Sequence, residues 1–287
     1  MWRVLGLLLA CALGWSSPMA AIAHAFTEQN TQQTTTSTTY VDVPGATIAS
    51  GQFVAGKKYL IHITAQQGTT TALSHVRALH GTTAFAESEA IFNPGNAAEK
   101  ITYNFLTVWT AVSGEGIKLQ FRTDVAATPN LDQIAMLAIN LSDDLTENTD
   151  WFFAEDAADL AMITDTWQSG ASVTFTPGTA SQDWLVRTFA QIDPGVASTS
   201  AMSRINRSGE ASTLLPESRM ESRSSAGMQL FGLARVFTLG AASNTFAEQS
   251  AQSGASHTRL YSGVFILNLN KFKNHAFAYT EADVALS

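Results

Sequence analysis

The sequence predicts an all-β protein: two tandem β-sandwich domains of jelly-roll type, produced by an internal duplication. Three observations predict it. Segments recur in the same order at a nearly constant offset. The recurring segments alternate apolar and polar residues with the period of two that a half-buried strand imposes. Turn-forming Gly and Pro residues, among them Gly45, Gly56, Gly81, Gly114, Pro177-Gly178, Pro194-Gly195 and Gly240, fall between them. Charged residues make up only 14% of the 287-residue chain. Long exposed helices need more Lys and Glu than that.

The recurrence is explicit. Lys58–Gln66 (KYLIHITAQ) matches Asp183–Gln191 (DWLVRTFAQ) at an offset of 125 (183 − 58). Val108-Trp109-Thr110 and Val236-Phe237-Thr238 lie 128 apart (236 − 108), as do Ile139-Asn140-Leu141 and Leu267-Asn268-Leu269 (267 − 139). Phe153-Ala154-Glu155 and Ala158-Asp159-Leu160 echo Phe277-Ala278 and Ala282-Asp283-Val284. Small loop insertions produce such a drift without breaking a repeat. In the first copy Tyr59, Ile61, Ile63 and Ala65 share one strand face, and His62, Thr64 and Gln66 share the other. Trp184, Val186 and Ala190 form the inward series of the second copy. Phe105, Trp109 and Ala111 alternate with Val108 and Val112, and Ile134–Leu141 is apolar almost throughout, as a central strand is.

Taken from the N-terminus, residues 1–25 form an apolar segment. Met1-Trp2-Arg3, the apolar run from Val4 to Trp15 and the small-residue stretch Ala20–Ala25 follow the order of a secretory signal peptide, with cleavage after Ala23 or Ala25. The alternative is an apolar arm kept in the mature protein and buried in an assembly. The run is shorter than the roughly 20 residues of a stable membrane span. Residues 26–39, rich in Thr and Gln, read as a flexible linker. Residues 40–145 make the first sandwich and 168–272 the second. An acidic and aromatic connector, 146–167, joins them and contains a short helix over Glu155–Met162; 273–287 is a tail.

Composition excludes several classes of function. With 16 basic and 24 acidic residues the chain lacks the clustered cations that phosphate neutralisation needs, so nucleic acid is not an expected partner. The single cysteine, Cys11, lies in the N-terminal segment, so a disulfide framework or thiolate metal site in the sandwiches is ruled out. No Gly-x-Ser-x-Gly elbow, phosphate-cradling loop or His-Glu-x-x-His motif occurs. No catalytic residues, cofactor or metal are therefore expected.

Weaker candidates remain. Asp143, Asp144, Glu147 and Asp150 offer oxygen ligands to calcium, though without the order of an EF-hand loop. His75 and His80, five residues apart on a strand, point to opposite faces. His62 aligns with Arg187, so that position calls for a polar, outward side chain. Glu87 and Glu89 fall on one strand face. Trp151-Phe152-Phe153 suits either a sugar-binding platform or, preferably, a plug in the seam between sandwiches. Glu217, Arg219, Glu221 and Arg223 read as an exposed edge strand whose charges block unwanted pairing. The second copy is richer in arginine; Arg204, Arg207, Arg219 and Arg223 are candidate contacts to an acidic neighbour.

The phrases Thr146–Phe153 (TENTDWFF), Thr174–Trp184 (TFTPGTASQDW) and Asn268–Phe272 (NLNKF) resemble those of tandem jelly-roll virion structural proteins, capsid decoration or tail-appendage components, of environmental tailed phages. The resemblance spans about residues 40–283 and carries no diagnostic motif, so it transfers no site residues. A secretory N-terminus departs from it, because capsids assemble in the cytoplasm. The expectation is a non-enzymatic structural protein of a virion or surface assembly, found in the virion or outside the cell. Its expected partners are copies of itself or other surface proteins. The alternative is a secreted bacterial adhesive or glycan-binding protein.

Overall fold

The computed structural model describes residues 24–68, 72–93, 100–125, 127–195, 199–209, 217–221, 227–254 and 257–272. The expected leader over residues 1–23, the tail from 273 onward and Arg223 lie outside the described residues. The described residues form four antiparallel sheets, and no α-helix occurs among them.

The first half contributes β1 (His24–Gln29), β2 (Gln33–Thr34), β3 (Val41–Ile48), β4 (Lys58–Gly68), β5 (Ser74–His80), β6 (Thr83–Ala84), β7 (Ala90–Phe92), β8 (Lys100–Thr110), β9 (Ile117–Thr123) and β10 (Asn130–Asn140). The second half contributes β11 (Trp151–Asp156), β12 (Leu160–Ala161), β13 (Gln168–Phe175), β14 (Gln182–Pro194), β15 (Ser200–Arg207), β16 (Glu217–Glu221), β17 (Gln229–Leu239), β18 (Asn244–Ser253) and β19 (His257–Asn268). In the first half the sheets run β1-β10-β4-β8 and β3-β9-β5-β6, with β2 beside β10 and β7 beside β5. In the second they run β11-β19-β14-β17 and β13-β18-β15-β16, with β12 beside β19. Three pairs of short strands, β1 with β2, β6 with β7 and β11 with β12, each act as one interrupted strand. Each half then places its first, eighth, third and sixth strands in one sheet and its second, seventh, fourth and fifth in the other. That is the jelly-roll order.

The strand ladders bring the matched sequence segments to the same places. Leu60 pairs with Val108 and Ile139, and Leu185 pairs with Val236 and Leu267. The inward series of the first copy, Tyr59, Ile61, Ile63 and Ala65, lies in one continuous core with Phe105, Trp109 and Phe121.

Two expectations about the connecting segments fail. The stretch read as a linker from residue 26 supplies most of β1 and all of β2, which pair antiparallel with β10, and Ala25 is buried in the first core. The connector read as carrying a helix over Glu155–Met162 instead supplies β11 and β12, which pair with β19 in the same way. Among the described residues the first jelly roll therefore begins at His24 and the second at Trp151. Each central strand, β10 and β19, presents a free row of backbone N–H and C=O groups, and pairing satisfies it whatever the local sequence prefers.

Candidate functional site

The two jelly rolls meet through the sheets containing β4 and β14. Side chains that point away from their own core bury one another: Leu60, Leu106, Ile139 and Leu141 of the first pack with Leu185, Phe189, Phe265 and Leu267 of the second. At the centre, the aligned pair His62 and Arg187 come into contact. Arg187 Nη1 and Nη2 lie 3.3 and 3.1 Å from Nδ1 and Nε2 of His62, whose Nε2 is also 3.1 Å from Asn104 Oδ1. Both side chains are outward, as the alignment requires, and each outward face is covered by the other half. Burial and the neighbouring guanidinium hold the His62 imidazole well below its ordinary pKa, and burial lowers Arg187 to about 10. Gly232 permits the close approach of Asn104 here.

The aromatic cluster divides between two layers. Trp151 is buried in the seam, its Nε1 donating to Leu141 O at 3.1 Å, and Phe153 packs against the same cluster. Phe152, one residue on, turns into the second core beside Phe175 and Trp184. Phe152 and Phe153 also line a shallow groove of about 470 Å³ with Asn148 and residues 172–176.

The calcium candidates do not converge. Asp143 pairs with Lys57 at 3.0 Å, Glu147 with Lys58 at 2.6 Å and Asp150 with Lys271 at 3.1 Å, while Asp144 is exposed. Glu87 and Glu89 do not share a strand face. Glu87 sits in a turn with φ 53°, and Glu89 reaches His75 Nδ1 at 3.0 Å. His75 also meets Asp124 at 2.9 Å, whereas His80 meets Glu115 at 2.6 Å beside the Trp109 ring, so the two histidines do take opposite faces. Glu217 and Arg219 lie on the edge strand β16, and Arg219 is exposed. Arg207 instead sits over the end of the second core, about 5.9 Å from the Phe237 and Phe246 ring centroids.

The least expected feature is a polar layer inside the second jelly roll. The first core is continuous. The second is split into two apolar clusters, one around Trp184 and Phe246, the other around Ile192 and Phe231. Ladder positions identify what separates them. The facing pair Val76 and Phe121 becomes Ser203 and Ser250, and Leu119, opposite Ala78, becomes Glu248, opposite Ile205. Leu131, opposite Gln67, becomes Arg259, opposite Ile192. At the repeat offsets, Ile63 becomes Thr188 and Ile134 becomes Ser262. Glu248 is 0% exposed. Its Oε1 accepts from Ser203 Oγ at 2.9 Å and Ser250 Oγ at 2.5 Å, and its Oε2 accepts from Arg259 Nη1 at 3.3 Å. Arg259, 1% exposed, also donates to Gln168 O, Ser169 O and Asp156 Oδ2. Burial raises the Glu248 carboxyl to about 7, against the opposing pull of the serine hydroxyls and Arg259. Gly170 lies directly above: a Cβ there would overlap the Ser262 hydroxyl and come within 2.8 Å of Glu248 Oε2 and Arg259 Cζ. Five strands, β11, β13, β15, β18 and β19, thus share one buried network.

Sequence reasoning missed this layer. Part of the signal was in the sequence: the offset of 128 sets Leu131 against Arg259, but it sets Leu119 against Ala247, and only the ladder register brings Glu248 to the place of Leu119.

No family model and no curated protein matches the chain. Similar solved structures include that of the Gt strain of infectious bursal disease virus (12% identity, TM-score 0.32, covering 90% of this chain and 76% of that one). The major capsid protein P2 of bacteriophage PM2 is another (8%, 0.29, 85% and 97%). A tandem pair of CBM22 domains from Paenibacillus barcinonensis is a third (9%, 0.24, 85% and 93%). The chain spans about half, 54%, of an insecticidal δ-endotoxin from Bacillus thuringiensis. Likenesses this weak assign no function.

Proposed function

We propose that this chain is a non-enzymatic structural subunit of a viral particle or surface assembly, and that its two halves descend from one duplicated jelly roll. One observation carries the reading. The matching sheets of the two halves are consumed in the seam, which leaves the β3-β9-β5 and β13-β18-β15 sheets as two outward surfaces on opposite sides of one block. Rigid blocks with two broad polar faces suit symmetric assembly. Light scattering of the purified chain, followed by electron microscopy, tests the reading. Discrete oligomers, rings or a lattice are expected; a monomer at every concentration overturns it.

A second reading has its own observation. The groove lined by Phe152, Phe153, Asn148 and the 172–176 strand end combines rings with hydroxyl and amide groups, as a glycan-binding module does. A glycan array on which wild type binds and Phe153→Ala does not would favour it.

A further inference from the structure

While the core of the second jelly roll turned polar, one feature of the outer sheet stayed the same. On the first outer face the Arg77 guanidinium lies over the Tyr40 ring, 3.7 Å from its centroid, and its Nε and Nη2 donate to Gln120 Oε1 at 3.1 and 2.8 Å. On the second, Arg204 lies 4.1 Å over the Trp167 ring, and its Nε and Nη2 donate to Gln249 Oε1 at 2.9 and 2.7 Å. Each glutamine is fixed in turn by the next strand, Gln120 Nε2 on Asp42 Oδ1 at 2.7 Å and Gln249 Nε2 on Ser169 Oγ at 3.1 Å. The ladder positions correspond: Arg77 faces Gln120 and Gln120 faces Asp42, as Arg204 faces Gln249 and Gln249 faces Ser169. Residues behind the row do not explain its retention, because Val76, Leu119 and Phe121 have become Ser203, Glu248 and Ser250.

The row holds a guanidinium flat on a ring with one edge bound to an amide oxygen. The other edge, the Nη1 group and the second Nη2 hydrogen, makes no hydrogen bond among the described residues in either copy. Two parallel N–H groups held in this way match the two oxygens of a carboxylate, and fixing them in advance removes an ordering cost from binding. Nearby charges differ between the faces. Arg122, paired with Asp124, and the Lys118–Asp42 pair flank the first row; on the second, Glu217 faces Arg204 across the ladder on β16.

We propose that each row is a carboxylate receptor and that its occupant is an acidic side chain of a neighbouring copy. The chain carries 24 acidic against 16 basic residues, so its copies are rich in carboxylates. The two receptors lie on opposite outer sheets, so each copy meets neighbours on two sides. The inference deepens the assembly reading and depends on it.

Sedimentation velocity on the full chain tests it, using wild type, Arg77→Lys, Arg204→Lys and the double variant. Lysine keeps the charge and the stem but loses the fork, and thermal unfolding checks that each variant folds. Each single variant is expected to weaken self-association by about tenfold, the equivalent of one charge-assisted hydrogen bond. Propionate, which carries the carboxylate end of a glutamate side chain, is expected to dissociate wild type more than chloride at equal ionic strength. Lysine variants that associate as tightly as wild type overturn the receptor while leaving the assembly reading intact. A monomeric wild type overturns the assembly reading, and with it the occupant named here. Saturable binding of oligoglucuronate by that monomer would move the same receptor to acidic glycans.

Discussion

Replacing Glu248 and Arg259 by the residues that hold the same places in the first jelly roll, Leu119 and Leu131, tests the account of the polar layer. Glu248→Leu removes the acceptor for Ser203, Ser250 and Arg259, and leaves Arg259 with Asp156 at 3.4 Å as its remaining carboxylate. Breaking a buried pair from one side costs about 3–5 kcal/mol. Arg259→Leu leaves Glu248 buried without its cation, at a cost of the same order. The double variant removes both charges and supplies two leucines to a belt that already separates two apolar clusters. Buried pairs replaced in this way end between neutral and about 4 kcal/mol more stable. The coupling energy of the cycle is then at least roughly 3 kcal/mol, well above the 0.5 kcal/mol expected of independent sites. Denaturant unfolding at pH 8 measures it. Circular dichroism follows the whole chain, and the shift is read on the transition that the single variants move, because two sandwiches need not unfold as one. A double variant as unstable as the sum of the singles would refute the reasoning: the pair would not be cancelling its own burial cost.

Further outcomes follow from the same geometry. Because Glu248 is raised from an ordinary 4.5 to about 7 on folding, its contribution is present in full below pH 4.5 and lost as pH rises through 7, a change of roughly 3 kcal/mol; Glu248→Gln should flatten that part of the stability profile. His62 is depressed instead, so the seam should weaken as pH falls below about 6.5, and His62→Gln should abolish that acid sensitivity. Gly170→Ala should cost about 1–3 kcal/mol through overpacking against the polar layer, whereas Gly240→Ala, with nothing within 4 Å of the added carbon, should leave the melting temperature unchanged. A chain beginning at Phe26 lacks His24 and the buried Ala25 and should melt below one beginning at His24.

Strand faces were legible because the pleat writes them into alternation. Tyr59, Ile61, Ile63 and Ala65 were assigned to the core from spacing alone, and they line it. The edge position of β16 was legible from its alternating charge. Strands β1, β2, β11 and β12 were not legible. Their sequences show no sustained alternation of apolar and polar residues, and their pairing is imposed by β10 and β19 from more than 90 residues away. The candidate site divided in the same way. Trp151, Phe152 and Phe153 were visible as a cluster, but which ring entered the seam and which the core depended on the register of β11 against β19.

The sequence by itself determined that the chain is all-β, that it runs through the same pattern twice, and which face of each matched strand turns inward, because local alternation and turn chemistry suffice for that. Only the tertiary structure decided what the outward faces do. His62 and Arg187 look like ordinary solvent-facing residues until the two sheets close on one another, and Glu248 and Arg259 look like surface charges on strands until their ladders place them between two cores. Both facts depend on contacts between distant strands, where burial changes what a polar side chain costs and what it must find as a partner.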